Sequence, residues 1–483
     1  MPLVAKGSKP KNPKISLEMS DDEDEVLADF SDNEEEEQPK SKGIVRVKKF
    51  DPLFDAADAK KMRDKFIDKR VDAIYAAKMK STDKESDKMQ VSDGFRLSSE
   101  FITTQVLESL PTGDVRFDMK TSVDKFGHRG IPRGKVIEIS GAPEMMKSAR
   151  AYDILADIQN DPRGAIIHIY ETESKANARY VAAAGCDVNQ IIIELPDYIE
   201  QVYYDMEKVM RMYVKERNAS VAKYIKDAKK KNMTQYEFDE LVFRARMSYP
   251  ILAFLYDSVG NHVSMEQWQK TKAGKTTKTP GKHAQAHAEG FRSIKNLLGN
   301  TMAVFLVVNH TKVEMGGMAS GWGEKKTTTF GGDHIKYMSD VRIEQRGGIG
   351  MGGPPSTMMK VTRQGEQVTI GKWLTVKFIK NSLIETSQQR VENTLFRYKF
   401  GVGFDLGVSY MIAMSEIGMV KGDLNLSAPG HKNKILLPGN KLIEVSFPDF
   451  HNMLLEQPKL KEELRGLIED NANSKATMVR KDT

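Results

Sequence analysis

Between Gly130 and Val308 the apolar residues fall in short unbroken blocks rather than in alternation. The blocks are Lys135–Ile139, Ala165–Tyr170, Gln190–Glu194, Ile251–Tyr256 and Met302–Val308. The segments between them have helical spacing: Lys147 to about Gln159, Tyr180–Ala184, Glu200–Lys229 continuing through Thr234–Arg246, and His283–Leu298. Apolar strands separated by helices predict a parallel sheet covered on both faces. After Asp340 the pattern shortens and alternates, over Val341–Glu344, Met358–Thr362, Leu374–Ile379 and Leu395–Phe400. That predicts an antiparallel extension of the same sheet. From Val420 loops mix with helices, ending in a helical Phe450–Asp470 and a polar, frayed Asn471–Thr483. Ahead of the sheet, Phe54, Ala57, Met62, Phe66, Val71, Ile74 and Tyr75 recur at helical spacing. They predict a helix over 51–80 that docks on a neighbour. No internal sequence repeat is present.

Composition narrows the class. A chain of 483 residues is expected to hold about two or three domains, or one large domain with appendages. Apolar residues at 40% suffice for a core. The best apolar run, Met302–Val308, is far short of a membrane span, and the N-terminus has no apolar leader. The single cysteine, Cys186, cannot close a disulfide within the chain, which suits a reducing compartment. The expectation is therefore neither a membrane protein nor a disulfide scaffold. The net charge of +6 conceals a segregation, because Asp21–Glu37 carries eleven acidic residues and no basic one. Without that run the 73 basic residues exceed the remaining acidic ones by seventeen. Such a basic body attracts polyanions, and the acidic run can compete for the same surface.

One turn carries candidate chemistry. Gly141-Ala142-Pro143-Glu144-Met145-Met146-Lys147-Ser148 follows a strand and opens a helix. It keeps the first glycine, the lysine and the hydroxyl of a phosphate-binding loop, but has Met146 where the second glycine would stand. Such a loop needs amide N–H groups around phosphate oxygens, a lysine at the terminal phosphates and a hydroxyl on Mg²⁺. Asp257 ends the fourth strand, where a carboxylate can hold Mg²⁺. Glu171 and Glu173 end the second, where a carboxylate can orient attacking water.

In their shared order these motifs resemble the RecA recombinases, most closely the phage UvsX type, over roughly Phe95 to Val420. UvsX-type proteins also lack the second glycine, so Met146 is expected in that branch. Tyr170-Glu-Thr-Glu173 resembles the segment with the family's catalytic glutamate and points to Glu173 as water-activating, with Glu171 secondary. Asn177 and Tyr180 fall where the family contacts adenine. Asn309-His310 matches the UvsX form of the γ-phosphate sensor. Lys380-Asn381-Ser382 lies where the family reaches a neighbouring subunit's ATP, with Lys380 matching and Ser382 replacing the second cation.

The resemblance implies a RecA-like P-loop ATPase core: an α/β fold, mostly parallel, with an antiparallel extension and helices on both faces. The core spans 111–420 with an insertion near 205–248. A disordered tail (1–50) and an oligomerisation segment (51–110) precede it, and a small C-terminal region (421–483) follows. ATP would lie on Gly141–Ser148, with Lys147 on its β/γ-phosphates and Ser148 and Asp257 on Mg²⁺. Glu173, His310 and Lys380 would complete catalysis, and Asn309 would line the site. DNA would meet two loops. The first carries Lys270, Lys272, Lys275 and Lys278; the second carries Lys312, Trp322, Lys325, Lys326, Phe330, Gly331 and Gly332. The implied function is ATP-dependent filament formation on single-stranded DNA, then pairing and strand exchange with double-stranded DNA, in phage recombination, repair and recombination-dependent replication. Implied partners are further copies of the chain, a single-strand-binding protein and a recombination mediator; the implied location is the host cytoplasm at phage DNA. Two other readings share the motifs: an ATP-gated DNA filament that hydrolyses little, and a replicative helicase on the same core.

Overall fold

The computed structural model describes residues 56–79, 106, 108–124, 126–173, 178–228, 235–275, 281–313, 327–347, 358–363, 366–384, 394–426 and 430–481. The 1–50 tail and all of 80–105 lie outside the described residues. The chain opens with α1 (Ala56–Met79), β1 (Ser109–Leu110), α2 (Val115–Thr121) and β2 (Ile131–Pro132). The core follows as β3 (Val136–Gly141), α3 (Lys147–Gln159), β4 (Ala165–Glu171), α4 (Ala178–Ala183), β5 (Ile191–Glu194), α5 (Ile199–Ala228) and α6 (Gln235–Met247). It continues through β6 (Ile251–Asp257), α7 (Met265–Lys272), α8 (Lys282–Thr301), β7 (Val304–Val313), β8 (Thr327–Thr329) and α9 (Asp333–Met338). Next come β9 (Val341–Gly347), β10 (Met358–Arg363), β11 (Glu366–Asn381), β12 (Thr394–Lys399) and β13 (Gly403–Phe404). The chain ends with α10 (Leu406–Glu416), β14 (Val420–Lys421), β15 (Asn433–Leu437), β16 (Lys441–Val445), α11 (Phe447–Glu456) and α12 (Pro458–Lys481).

Packing divides the chain into two units, split in sequence between Phe404 and Asp405. The larger is built on one sheet in the order β13-β12-β11-β9-β3-β7-β6-β4-β5, with β10 paired to β11 and β8 to β7. The strands from β9 to β5 along that path run parallel, and β11, β12 and β13 extend it antiparallel. This is a RecA-like α/β fold with the expected extension, with one shift. Val341–Glu344 was expected in the antiparallel part, yet β9 runs parallel to β3, and the direction reverses only at β11. The cause is α9, which supplies the crossover that a parallel neighbour requires.

Every residue of β3, β4 and β6 is buried, which explains their unbroken apolar runs. On β4, Ile167 and Ile169 pack on the α3 side, while Ile166 and Tyr170 join Val202, Tyr203 and Met206 of α5 on the other. The α5 helix thus forms part of the core's covering layer. α1 joins the same layer within its own chain, where Phe66 packs edge-on against Tyr213 with centroids 6.1 Å apart.

α8 crosses α5 closely at Gly290, where an added Cβ would lie 2.1 Å from the Tyr203 ring. Gly290→Ala is therefore expected to cost about 1–3 kcal/mol through overpacking. A denaturation midpoint that does not fall would refute this reading of the crossing.

Beneath α3, the Arg150 guanidinium lies 3.3 Å from the Phe404 ring centroid and donates to Asp114 at 3.1 Å. Asp153 is half-buried beside it, and desolvation pushes its carboxyl up to about 7, opposed by the Arg150 charge and the Phe404 amide and assisted by Asp157 and Asp114. Between about pH 4 and 7 the folded chain holds this proton while the unfolded chain has released it. This group therefore makes stability fall as pH rises through that window, by at most about 1.4 kcal/mol per unit, and level off above it. Asp153→Asn is expected to gain stability relative to the parent as pH goes from 5 to 8; parallel melting curves at both values would contradict this.

The smaller unit departs from the expected mixture of loops and helices. It contains an antiparallel sheet, β14-β15-β16, with Leu437 opposite Lys441 across Pro438-Gly439-Asn440. Gly439 and Asn440 both take positive φ, as this turn demands. The last helix of this unit, α12, runs to Lys481. Extending an existing helix adds a hydrogen bond for each residue fixed.

Candidate functional site

Register brings the chemistry to one edge of the sheet. Gly141 pairs with His310, Glu171 with Asp257, and Asp257 with Val308, so the carboxyl ends of β3, β4, β6 and β7 finish at one level. Open α/β sheets bind ligands in this position.

At β3 the chain turns through Ala142–Met146 into α3. Gly141 is obligatory, since its φ is +157° and an added Cβ would meet the Gln345 carbonyl oxygen at 2.3 Å. Met146 adopts the left-handed conformation, φ 54° and ψ 30°, that a glycine would adopt freely, and so does Glu144 at φ 62°. The loop thus keeps a phosphate-loop path without its second glycine, at a backbone cost of roughly 1–2 kcal/mol per residue. Lys147 is buried and donates to the Ala142 carbonyl at 2.8 Å, folding back over the loop. Burial lowers its pKa, and Asp257 and Glu173 oppose that shift. Ser148 hydrogen-bonds Asp257, whose carboxyl burial raises to about 6 despite that bond, with Glu173 and Glu171 adding to the rise. A buried carboxylate and a hydroxyl, both hard oxygen donors, fit Mg²⁺.

Glu173 is the hub. Its Oε1 accepts from Ser258 Oγ at 2.9 Å, from His310 Nε2 at 3.1 Å and from the Asn261 amide. Glu171 accepts the Glu173 backbone N–H at 2.9 Å, so it positions Glu173. Asn309 turns away from the loop: its amide donates to Glu138 at 2.8 Å and to the Phe330 carbonyl at 2.9 Å, and its carbonyl oxygen accepts from the His310 N–H. Glu138 also receives the Arg342 guanidinium, which reaches Thr329 Oγ1 at 3.3 Å.

Lys380 does not join this cluster. β11 runs against β9, and Asn381 pairs with Val341, at the start of the parallel strands. Four residues of β3 separate that level from Gly141, about 13 Å along the strand. There Lys380 Nζ caps the end of α9, donating to the carbonyls of Lys336 (3.1 Å), Tyr337 (2.9 Å) and Ser339 (2.7 Å). A cation that sequence reading missed, Lys372, reaches the loop instead and donates to the Glu144 carbonyl at 3.2 Å. Tyr180 is exposed on α4, and Asn177 lies outside the described residues.

Both basic loops leave this edge. The first is not all loop, since it contains α7, started by a capping box between Ser264 and Gln267. Lys270 pairs with Glu266 at 2.6 Å, Lys272 lies 3.9 Å over the Trp268 ring, and Lys275 follows the helix; Lys278 is outside the described residues. The second begins as a hairpin, with Thr311 opposite Thr329 and Val313 opposite Thr327. Lys312 is exposed, 5.0 Å over the Phe330 ring. Trp322, Lys325 and Lys326 lie outside the described residues. The loop roots touch: Phe330 packs on Gly260, and Gly331 and Gly332, both at positive φ, abut Val259 and Ala284.

Residues 76–216 match the family model described as the RecA N-terminal domain. Among curated proteins, the chain is 24% identical to Protein RecA of Roseiflexus sp. over 314 residues, 65% of this chain and 70% of that one. It is 23% identical to Protein RecA of Bacteroides thetaiotaomicron (77% and 90% covered) and 22% identical to that of Aquifex pyrophilus (79% and 87%). The chain carries a RecA-like core.

Within that core, residues that sequence reading gave no role prove central. Ser258 and Asn261 orient Glu173, and Glu138 and Arg342 tie β3 and β9 to the second loop's root. In this segment sequence reading gave a role to Asp257 alone; nothing local to Ser258 or Asn261 shows that they face Glu173. No described helix of the RecA-like chain is long and apolar enough to cross a membrane.

Proposed function

We propose that this chain is an ATP-dependent DNA recombinase of the phage UvsX type, which polymerises on single-stranded DNA and exchanges strands with a homologous duplex. The observation that carries the reading is the bond between Glu173 and His310 at the edge where Lys147, Ser148 and Asp257 converge. Nucleotide phosphates on the loop give Lys147 a partner in place of the Ala142 carbonyl. Ser148 and Asp257 would hold Mg²⁺, which would supply charge neutralisation at those phosphates. Glu173, steered by Ser258 and Asn261, orients the attacking water, and catalysis is otherwise positioning and electrostatics. His310 senses the terminal phosphate and passes its state through Asn309 to Phe330, at the root of the second loop. Lysines of both loops hold DNA phosphates, and Trp322 and Phe330 meet bases. Exchanging one duplex for another is nearly balanced in energy, so the protein acts on the barrier.

Lys380 acts on the ATP of an adjacent copy, for which it must release its three carbonyls on α9. Mediator and single-strand-binding proteins load the polymer, in the host cytoplasm. The reading is tested by ATP turnover with and without single-stranded DNA, paired with a strand-exchange assay. DNA-stimulated turnover with exchange is expected. Nucleotide-gated filaments without turnover would favour the low-hydrolysis reading, and closed rings with unwinding would favour the helicase.

A further inference from the structure

The face of β4 turned away from the phosphate loop holds a second polar cluster. Side chains alternate along a strand, so Glu171 points toward the α3 side while His168 points under α5. His168 is fully buried, its ring against Tyr170 (centroids 6.5 Å) and Phe254 (5.7 Å), which fixes its orientation. On the edge strand β5, Tyr170 pairs with Glu194, which places Glu194 on the same face as His168; Glu194 Oε1 lies 3.6 Å from His168 Nδ1. From α5, Asp205 closes the group and is itself held by the Tyr170 hydroxyl at 2.7 Å. One ligand atom from each of the three residues lies within 4.8 Å of the other two.

The geometry points to a divalent transition-metal site formed by His168, Glu194 and Asp205 where β4, β5 and α5 meet, separate from the nucleotide's Mg²⁺. One imidazole nitrogen and two carboxylate oxygens suit Zn²⁺ or Mn²⁺ better than Mg²⁺, which prefers oxygen ligands and retained water. Ligands about 2.1 Å from a tetrahedral ion stand about 3.4 Å apart, so the widest pair, now within 4.8 Å, must close by up to about 1.4 Å. The partly exposed Glu194 and Asp205 can do this by side-chain rotation while His168 stays fixed. Tyr170 then serves as the outer partner that orients a ligating carboxylate. Bound there, the ion pins the first turns of α5 to the sheet edge, three residues from Glu171 on the same strand.

The test uses the full chain, stripped of metal and held in excess Mg²⁺ to fill oxygen-only sites. Zn²⁺ is titrated against a chromogenic chelator, and Co²⁺ is added separately to read ligand-field absorption. One equivalent of Zn²⁺ is expected, with a Co²⁺ spectrum of low coordination number. Tyr170→Phe, which deletes only a hydroxyl, should weaken Zn²⁺ binding about 10–100-fold. The Glu194→Gln/Asp205→Asn double variant should lose the equivalent while keeping the parent's circular dichroism. A parent that binds no Zn²⁺ in Mg²⁺, an equivalent retained by the double variant, or unchanged affinity in Tyr170→Phe would each overturn the site.

Discussion

Glu173→Gln is expected to lower DNA-stimulated ATP turnover by about 10²–10⁴-fold while nucleotide binding stays within a few-fold of the parent. The amide keeps the length of the side chain and an oxygen that can accept from Ser258, Asn261 and His310. It loses the negative charge and the ability to take a proton from water. Lys147, Ser148 and Asp257 are untouched, so phosphate binding should survive. Steady-state turnover and fluorescent-nucleotide titration separate the two effects. A fall of less than tenfold would move water activation elsewhere, with Glu171 the next residue to test.

The second large effect concerns stability. Glu138→Ala is expected to destabilise the fold by about 3–5 kcal/mol, because it leaves the Arg342 charge buried without its partner. Glu138 is wholly buried, Arg342 is 9% exposed, and Asn309 loses one of its two acceptors in the same substitution. The double replacement Glu138→Met/Arg342→Met should recover much of the loss, since a buried pair exchanged for apolar groups is often near neutral. Urea denaturation of the parent, the single variant and the double variant forms the comparison. A single-variant loss below about 1 kcal/mol would show that water reaches Arg342 and that the pair is not effectively buried.

The parallel strands were legible in the sequence because burial on both faces removes polar residues, leaving runs such as Ile251–Tyr256 that only a covered sheet explains. The start of α3 at Lys147 was legible from the loop motif. α7 was not read, although Ser264 and Gln267 form a capping signal three residues apart, because the lysines around it suggested solvated loop. β15 and β16 were hidden by their brevity and their lysines, with Pro438-Gly439-Asn440 the overlooked marker. For the candidate site, the residues on strand ends were readable one by one, since a strand end in this fold faces the ligand crevice. The contacts of Glu173 with Asn261, of Asn309 with Glu138 and of Lys372 with Glu144 were not readable. Each joins residues far apart in sequence, and only the strand order makes them neighbours.

The hairpin that continues β7 past His310 behaves as a stiff arm. From His310 to Val313 the strand spans about 10 Å, braced by three ladder pairs to β8 and interrupted by no glycine. On the proposed reading, a tilt of His310 about the Asn309 anchor would be carried along this ladder to Val313. On that reading, softening the arm with a glycine at Thr311 would uncouple its two ends while leaving every proposed nucleotide-binding group in place.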